Sequence, residues 1–404
     1  MNDAWNFWAM PVLLLAIIAM LVQQTVATTA KVGVPALFPA IANELHFDPN
    51  LVLVYTWFYA VCSLAVMAGC GGAIRRFGAL RTSQFGCVLM ALGLAGVACL
   101  AKAWLLVPVI SVAVMMIGVG STVATPASSQ ILATYSPSKW APLVFSIKQT
   151  GVPAGVAISG LILAPLAVAY GWRGTTFGLA ILCASIAVLL QPLRAEFDRD
   201  RDPAARLHLA DFITSVRDVL DQFERRAMAM AAFTFVGMQS IYTNFTITYL
   251  YNDLHYSHEA AGQVFGLAVM LAVPARVFWG WVGSTMISPR TLLAILAAIM
   301  AGSTALMGVF DEHWSHAAIL AVNCAISLSV LSWHGVLLSE AARLAPAGEA
   351  GRMTGGVLAF GSAGQLLYPM LFGAGLWIGG YGAAFIIISL PVAGVGAFLA
   401  LNRR

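Results

Sequence analysis

Charge is what this chain has least of. Asp, Glu, Lys and Arg make up 9% of its 404 residues, against about a quarter in an ordinary soluble domain. With 60% hydrophobic residues and a mean hydropathy of +0.86, it has too little polar side chain to cover a water-soluble surface, and a soluble globular protein is excluded. Paired cysteines are also lacking. Cys62, Cys70, Cys87, Cys99, Cys183 and Cys324 all sit inside hydrophobic runs and none shows metal-ligand spacing, so neither a disulfide nor a metal site is expected. No phosphate-binding loop of the form G-x-x-x-x-G-K-[ST] occurs, which argues against direct coupling to ATP, and no cofactor is expected. A single histidine within the hydrophobic runs, with no aspartate at that depth, is too little for an intramembrane hydrolase or transferase, and an enzyme is not expected.

What the chain has is hydrophobic length. A membrane-crossing helix needs about 20 mostly apolar residues. Twelve such runs follow one another: Pro11 to Ile41, Leu51 to Gly72, Ser83 to Leu100, Leu105 to Ala133, Ala141 to Ala169, Thr175 to Leu193, Ala227 to Leu250, Ala260 to Gly283, Thr291 to Val309, Ala317 to Ala341, Met353 to Ile378 and Tyr381 to Leu401. In lipid the backbone must satisfy its own hydrogen bonds, so these are helices or a closed barrel, and runs this long without alternation exclude the barrel. The predicted fold class is an all-α membrane protein of twelve transmembrane helices. The first run is too long for a signal-peptide core and has no Lys or Arg before it, so it is read as mature structure.

The basic residues test that count. With the N-terminus inside, sixteen of the 21 lysines and arginines fall in cytoplasmic segments, Lys102 and Arg173 in outer loops, and Lys31, Lys148 and Arg276 within helices. The bias alternates as the positive-inside rule requires and places both termini in the cytoplasm, in a bacterial-type inner (plasma) membrane. The net charge of +4 reflects this topology, and a nucleic-acid partner is not implied. A charged break at 194–226 divides the chain into a six-helix half at 1–193 and another at 227–404. Within it Leu209, Phe212, Ile213, Val216, Val219, Leu220 and Phe223 recur at helical spacing, which predicts an amphipathic helix on the cytoplasmic face, tethering the halves.

Six plus six helices around a long cytoplasmic loop resemble the major facilitator superfamily, and short motifs agree. The loop after helix two, Gly71-Gly72-Ala73-Ile74-Arg75-Arg76-Phe77-Gly78-Ala79-Leu80-Arg81, resembles the family signature G-x-x-x-D-R-x-G-R-R, with Arg75 where the acid should be. Gly280-Trp281-Val282-Gly283-Ser284 after helix eight is a weaker echo. Gly118-Val119-Gly120 is similar to the family's R-x-x-x-G-x-G, with Val114 at the arginine position. Gly151-Val152-Pro153-Ala154-Gly155 is loosely like an antiporter glycine-proline motif, and Gly171-Trp172-Arg173 is similar to a family turn. The resemblance implies a cavity between the halves that opens alternately to each side, with substrate near the midplane. It also implies cytoplasmic latch loops, in which Arg76 is a candidate gating residue.

All seventeen acids fall in loops, termini or helix ends, while three bases lie within helices. A cation at the bilayer centre costs about 3 kcal/mol on insertion scales unless it lines water or meets a partner. With no carboxylate at that depth, a bound anion is the economical partner. Lys31 lies eight residues before Pro39, a spacing similar to that of organic-anion symporters of the superfamily; the competing reading is a lysine snorkelling to the outer surface. Lys148 lies about 12 Å inside the start of helix five, beside Gly151 and Pro153, with snorkelling again the alternative. Arg276 can grip a carboxylate bidentately or pair with Glu340 as a latch. His334 could carry a proton or be a packed, hydrogen-bonded side chain. Glu340 and Arg343, three apart, are expected to pair at the inner mouth.

These residues make the candidate site: Lys31, Lys148, Arg276, Gln24, Gln149, Tyr242, Asn244 and Tyr368 for substrate, His334 for proton coupling, and Glu340, Arg343 and Arg76 for gating. The expected function is secondary transport of a small organic anion, a carboxylate, by proton-coupled symport in a monomer whose partners are substrate, protons and the bilayer. Anion exchange and multidrug efflux are the alternatives, and buried cations fit hydrophobic cationic drugs badly.

Overall fold

The computed structural model describes residues 9–46, 52–101, 105–205, 211–311 and 313–401. Lys102, Arg206, Leu209, Arg403 and Arg404, which enter the topology and linker arguments, lie outside the described residues, as does the Phe212 side chain.

Every regular element among these residues is helical. In chain order they are α1 (Ala9–Leu45), α2 (Val52–Phe77), α3 (Ala79–Leu100), α4 (Leu106–Thr122), α5 (Ala124–Tyr135), α6 (Ala141–Gln149), α7 (Gly151–Ile158), a π-helical turn (Ser159–Leu163), α8 (Ala164–Leu189), a 3-10 turn (Gln191–Leu193), α9 (Arg194–Phe197), α10 (Asp211–Asp221), α11 (Phe223–Asn252), α12 (His258–Met270), α13 (Ala272–Thr285), α14 (Pro289–Met307), α15 (His316–Val330), α16 (His334–Arg343) and α17 (Ala350–Leu401).

Among the described residues nine helices are long and apolar enough to cross a bilayer by length and composition. The twelve-helix reading accounts for the difference. The 52-residue α17 is two crossings that turn at Gly379 and Gly380, the latter at φ +70°. Helix five is divided into α6, α7 and the π turn, and α11, rich in Thr, Gln, Asn and Tyr, is long but too polar for the hydropathy criterion.

Three of the internal breaks have one cause. Val123, Thr150 and Leu271 separate α4 from α5, α6 from α7 and α12 from α13, and each stands three residues before a proline: Pro126, Pro153 and Pro274. A proline leaves the carbonyl four residues earlier without its helical donor and crowds it, so the helix interrupts there. The break at Leu331–Trp333, between α15 and α16 of helix ten, has no proline and needs another explanation.

The chain forms two compact units. One contains residues 1–136, 148–217 and 345–356; the other contains 137–147, 218–344 and 357–404. Two short segments therefore leave the half of the sequence in which they occur. In the first unit Gln130 Oε1 accepts the Gly351 backbone N–H at 3.0 Å. In the second, Leu143 N–H donates to Ser284 Oγ at 3.1 Å, within the Gly280–Ser284 echo of the signature loop. The amphipathic helix exists as α10, with Val219 buried and Ile213 and Leu220 exposed.

Candidate functional site

The first unit's site grows from a close helix crossing. Thr25 and Leu21 of α1 lie against α7, where a Cβ on Gly155 would stand 2.5 Å from the Thr25 carbonyl oxygen and one on Gly151 would stand 2.9 Å from that of Leu21. Only glycine permits this approach. It brings the end of α6 onto α1, and Lys148 Nζ donates to Gln24 Oε1 at 2.6 Å and to Gln149 Oε1 at 3.4 Å. Thr125 Oγ1 donates to the same Gln24 oxygen at 3.2 Å. Lys148 is 1% exposed, so snorkelling is excluded.

The acceptors around that ammonium are neutral amides, and among the described residues no acid forms an ion pair with it. Burying a cation carries an effective penalty of several kcal/mol, and a charge-assisted hydrogen bond returns about 1.5 to 3. One short bond and one long one leave the charge undercompensated.

Lys31 lies seven residues after Gln24, two turns along the same face of α1, with Thr28 between them. Its ammonium sits 4.7 Å from the centroid of the Tyr59 ring, and Tyr55 Oη donates to the Lys31 carbonyl at 3.1 Å. Tyr59 Oη is 3.1 Å from Ser121 Oγ. Lys31 is thus turned onto helix two. Gln24, Thr28 and Lys31 form one polar stripe of α1, and Thr25 and Thr29 form a second beside it, with Thr29 Oγ1 donating to the Gly155 carbonyl at 3.3 Å.

In the second unit Arg276 is 2% exposed, and its Nε donates to the Leu331 carbonyl at 2.7 Å. Trp279 Nε1 donates to the Leu328 carbonyl at 2.9 Å, and Ser332 Oγ to that of Ala272 at 3.4 Å. The Arg276 and Trp279 donors explain the break without a proline: carbonyls released where α15 ends are taken by side chains of α13, and Ser332 from the break returns a bond to the start of α13. Glu340 takes a bidentate ion pair from Arg343, at 2.8 and 2.6 Å, as the three-residue spacing predicts. His334 opens α16 and stacks on Trp333 at 3.7 Å.

The remaining candidates separate. Tyr242 is buried and donates to the Asn323 carbonyl at 3.2 Å, joining helix seven to helix ten as Thr125 and Gln24 join helix four to helix one. Asn244 is exposed, with its amide donated to Ser240 of its own helix at 2.7 Å. Tyr368 is buried against Phe233, with no partner for its hydroxyl among the described residues. Arg76 lies over its neighbour Phe77, 5.5 Å from the centroid.

Sequence reading passed over three residues at the signature loop. Arg75 is 3.8 Å from Glu349, which also pairs with Arg352 at 2.6 Å. Glu349 stands immediately before α17, so the acid missing from the loop is supplied, with polarity reversed, by the segment the loop meets. Asp198, in the linker, accepts the Leu80 and Arg81 backbone N–H groups at 2.8 and 3.1 Å and caps α3. Its burial pushes the carboxyl above the usual carboxylate range, and the two backbone donors oppose that shift. The missing family acid was the available signal for the first pair; nothing local marks Asp198 as a cap.

Two helical units, a signature loop and a cation buried on a polar stripe define a multi-pass membrane transporter. The pattern of the Major Facilitator Superfamily matches residues 12–355, and the chain belongs to that family. No curated protein matches it in sequence. Among solved structures, a variant of the E. coli fucose:proton symporter has a TM-score of 0.74 at 15% identity, over 97% of this chain and 99% of that one. The human organic anion transporter MFSD10 (TETRAN) has a TM-score of 0.75 at 13% identity, over 95% and 98%. A proton:xylose symporter bound to a bromodeoxyglucose has a TM-score of 0.70 at 13% identity, over 96% and 95%. Likeness at these identities establishes the fold alone.

Proposed function

We propose that this transporter moves a small organic anion, a carboxylate, by proton-coupled symport. The observation that carries the reading is Lys148: a fully buried ammonium held by two glutamine oxygens, with no acid paired to it among the described residues. A carboxylate would supply the missing charge, and Lys31, two turns along the stripe from Gln24, would receive it from the other side of Thr28. Arg276 is the corresponding cation of the second unit, where its bond to Leu331 links an anion contact to the broken segment of helix ten. His334, next to that break, is the proposed proton carrier, and the Glu340–Arg343 pair a gate. Membrane orientation follows the arginine bias, with both termini cytoplasmic in an inner membrane. One of the structural neighbours is an organic anion transporter and two are proton symporters, which accords with this reading.

The test is uptake of radiolabelled mono- and dicarboxylates into proteoliposomes, with an inside-alkaline pH gradient and, separately, with preloaded unlabelled anion. Wild type accumulates at least one carboxylate under the pH gradient, and Lys148→Gln and Lys31→Gln each reduce uptake about tenfold or more, the worth of one charge-assisted bond. Uptake unchanged in both variants overturns the anion site. Accumulation with preloaded anion alone replaces symport by exchange.

A further inference from the structure

The second unit carries a lateral groove that the transport reading does not use. It has a volume of about 470 Å³, and its walls include Leu220 of α10, Met230 and Phe233 of α11, and Phe360 and Gly394 of α17. Almost all of that lining is apolar. Its polar side chains are Thr234, whose hydroxyl donates to the Met230 carbonyl of its own helix at 3.0 Å, and Arg226, in the first turn of α11, where the groove meets the interfacial helix α10.

Its neighbours in sequence are engaged. Glu224 is ion-paired with Arg290, and Arg225 donates to the carbonyls of Leu344 and Asp218 at 3.1 and 3.3 Å. The exposed Arg226 guanidinium has no acceptor among the described residues. A greasy channel ending in one unneutralised guanidinium at headgroup level is complementary to a single class of molecule: an acyl chain carrying a phosphate. We propose that this groove is a binding site for an anionic phospholipid, with one acyl chain along α11 and α17 and the headgroup phosphate on Arg226.

A second copy of the chain is a poorer occupant. Helix association in lipid relies on rows of small residues that let backbones approach, whereas here Gly394 is flanked in the wall by the larger Leu220, Met230, Phe233 and Phe360. A protein partner would also have to bring an acid to Arg226 in a low-dielectric setting. A membrane already provides anionic headgroups, whose surface potential attracts basic residues at the leaflet.

Two substitutions separate the parts of the site. Arg226→Gln removes the headgroup contact, while Gly394→Phe fills the channel at a position where an added Cβ meets nothing within 4 Å. The experiment uses the purified full chain in phosphatidylcholine nanodiscs with and without phosphatidylglycerol, read by native mass spectrometry of retained lipid and by thermal midpoint. Wild type retains phosphatidylglycerol in preference to phosphatidylcholine and is stabilised by it. Arg226→Gln lowers that preference roughly fivefold or more, Arg226→Lys keeps part of it, and Gly394→Phe loses both lipids. Arg201→Gln, an exposed linker arginine, leaves the preference intact. Equal retention of the two lipids by wild type, undiminished preference in Arg226→Gln, or a dimer whose contact shields the groove would each overturn the assignment. None of these outcomes depends on which substrate the protein carries.

Discussion

Gly78 and Asp198 occupy each other's space. A Cβ added to Gly78, which sits at φ +96°, would fall inside the Asp198 carboxyl that caps α3. The left-handed backbone and the missing side chain let an acid 118 residues away close the first turn of helix three.

Removing that cap has a defined price in stability. Asp198→Ala should lower unfolding free energy by about 1 kcal/mol, up to 2 because two donors lose their acceptor, and Asp198→Asn, which keeps one acceptor, should fall between. The pH dependence has an unusual sign. A carboxyl raised by burial binds its proton more tightly folded than unfolded, so its contribution falls as pH rises from the ordinary carboxylate range to the raised folded value, then stays flat. Thermal midpoints across that window should show wild type losing ground to Asp198→Asn as pH rises.

Lys148 should trade stability against function. Lys148→Met removes an undercompensated buried cation, so its thermal midpoint in detergent should equal or exceed that of wild type while carboxylate uptake collapses. A large loss of midpoint together with uptake would mark the lysine as structural.

The glycines of helix five should matter through distance. Gly155→Ala forces α1 and α7 apart and should cost about 1 to 3 kcal/mol, weakening uptake by moving Lys148 from Gln24. Gly160→Ala, where a Cβ meets nothing within 4 Å, should be silent in both assays.

At the signature loop, restoring the family's acid should harm. Arg75→Asp would set a carboxylate against Glu349, and its midpoint should fall below that of Arg75→Ala. The attraction itself is modest: at 3.8 Å with an exposed arginine, a double-mutant cycle between Arg75→Ala and Glu349→Ala should give less than about 1 kcal/mol.

Arg276→Leu should unlock helix ten. It leaves the Leu331 carbonyl without its Nε donor, at about 1 to 3 kcal/mol, and hydrogen exchange should rise at 331–334 ahead of the flanking helices.

The fold was legible because its determinants are local. Apolar length gives the helices, and Pro153 stands out beside Lys148, while the breaks before Pro126 and Pro274 emerge only in the folded chain. Lys148 was visible as a base in a hydrophobic run, and the Glu340–Arg343 pair from its spacing. What stayed hidden depends on residues distant in sequence: the break at Leu331, made by Arg276 and Trp279, the turning of Lys31 onto Tyr59, and the capping of α3 by Asp198. Periodicity contains none of these pairings, which exist only once the helices have packed.

The exchange of short segments between the units bears on the order of synthesis. The first unit lacks its Gln130–Gly351 contact until the ribosome has passed residue 356 of 404, so the part of the protein that enters the membrane earliest is completed almost last. Its α2 and α5 ends must wait, uncovered, through the making of four further helices. A fragment ending at the linker would carry every helix of the first half and still lack a piece of its own unit.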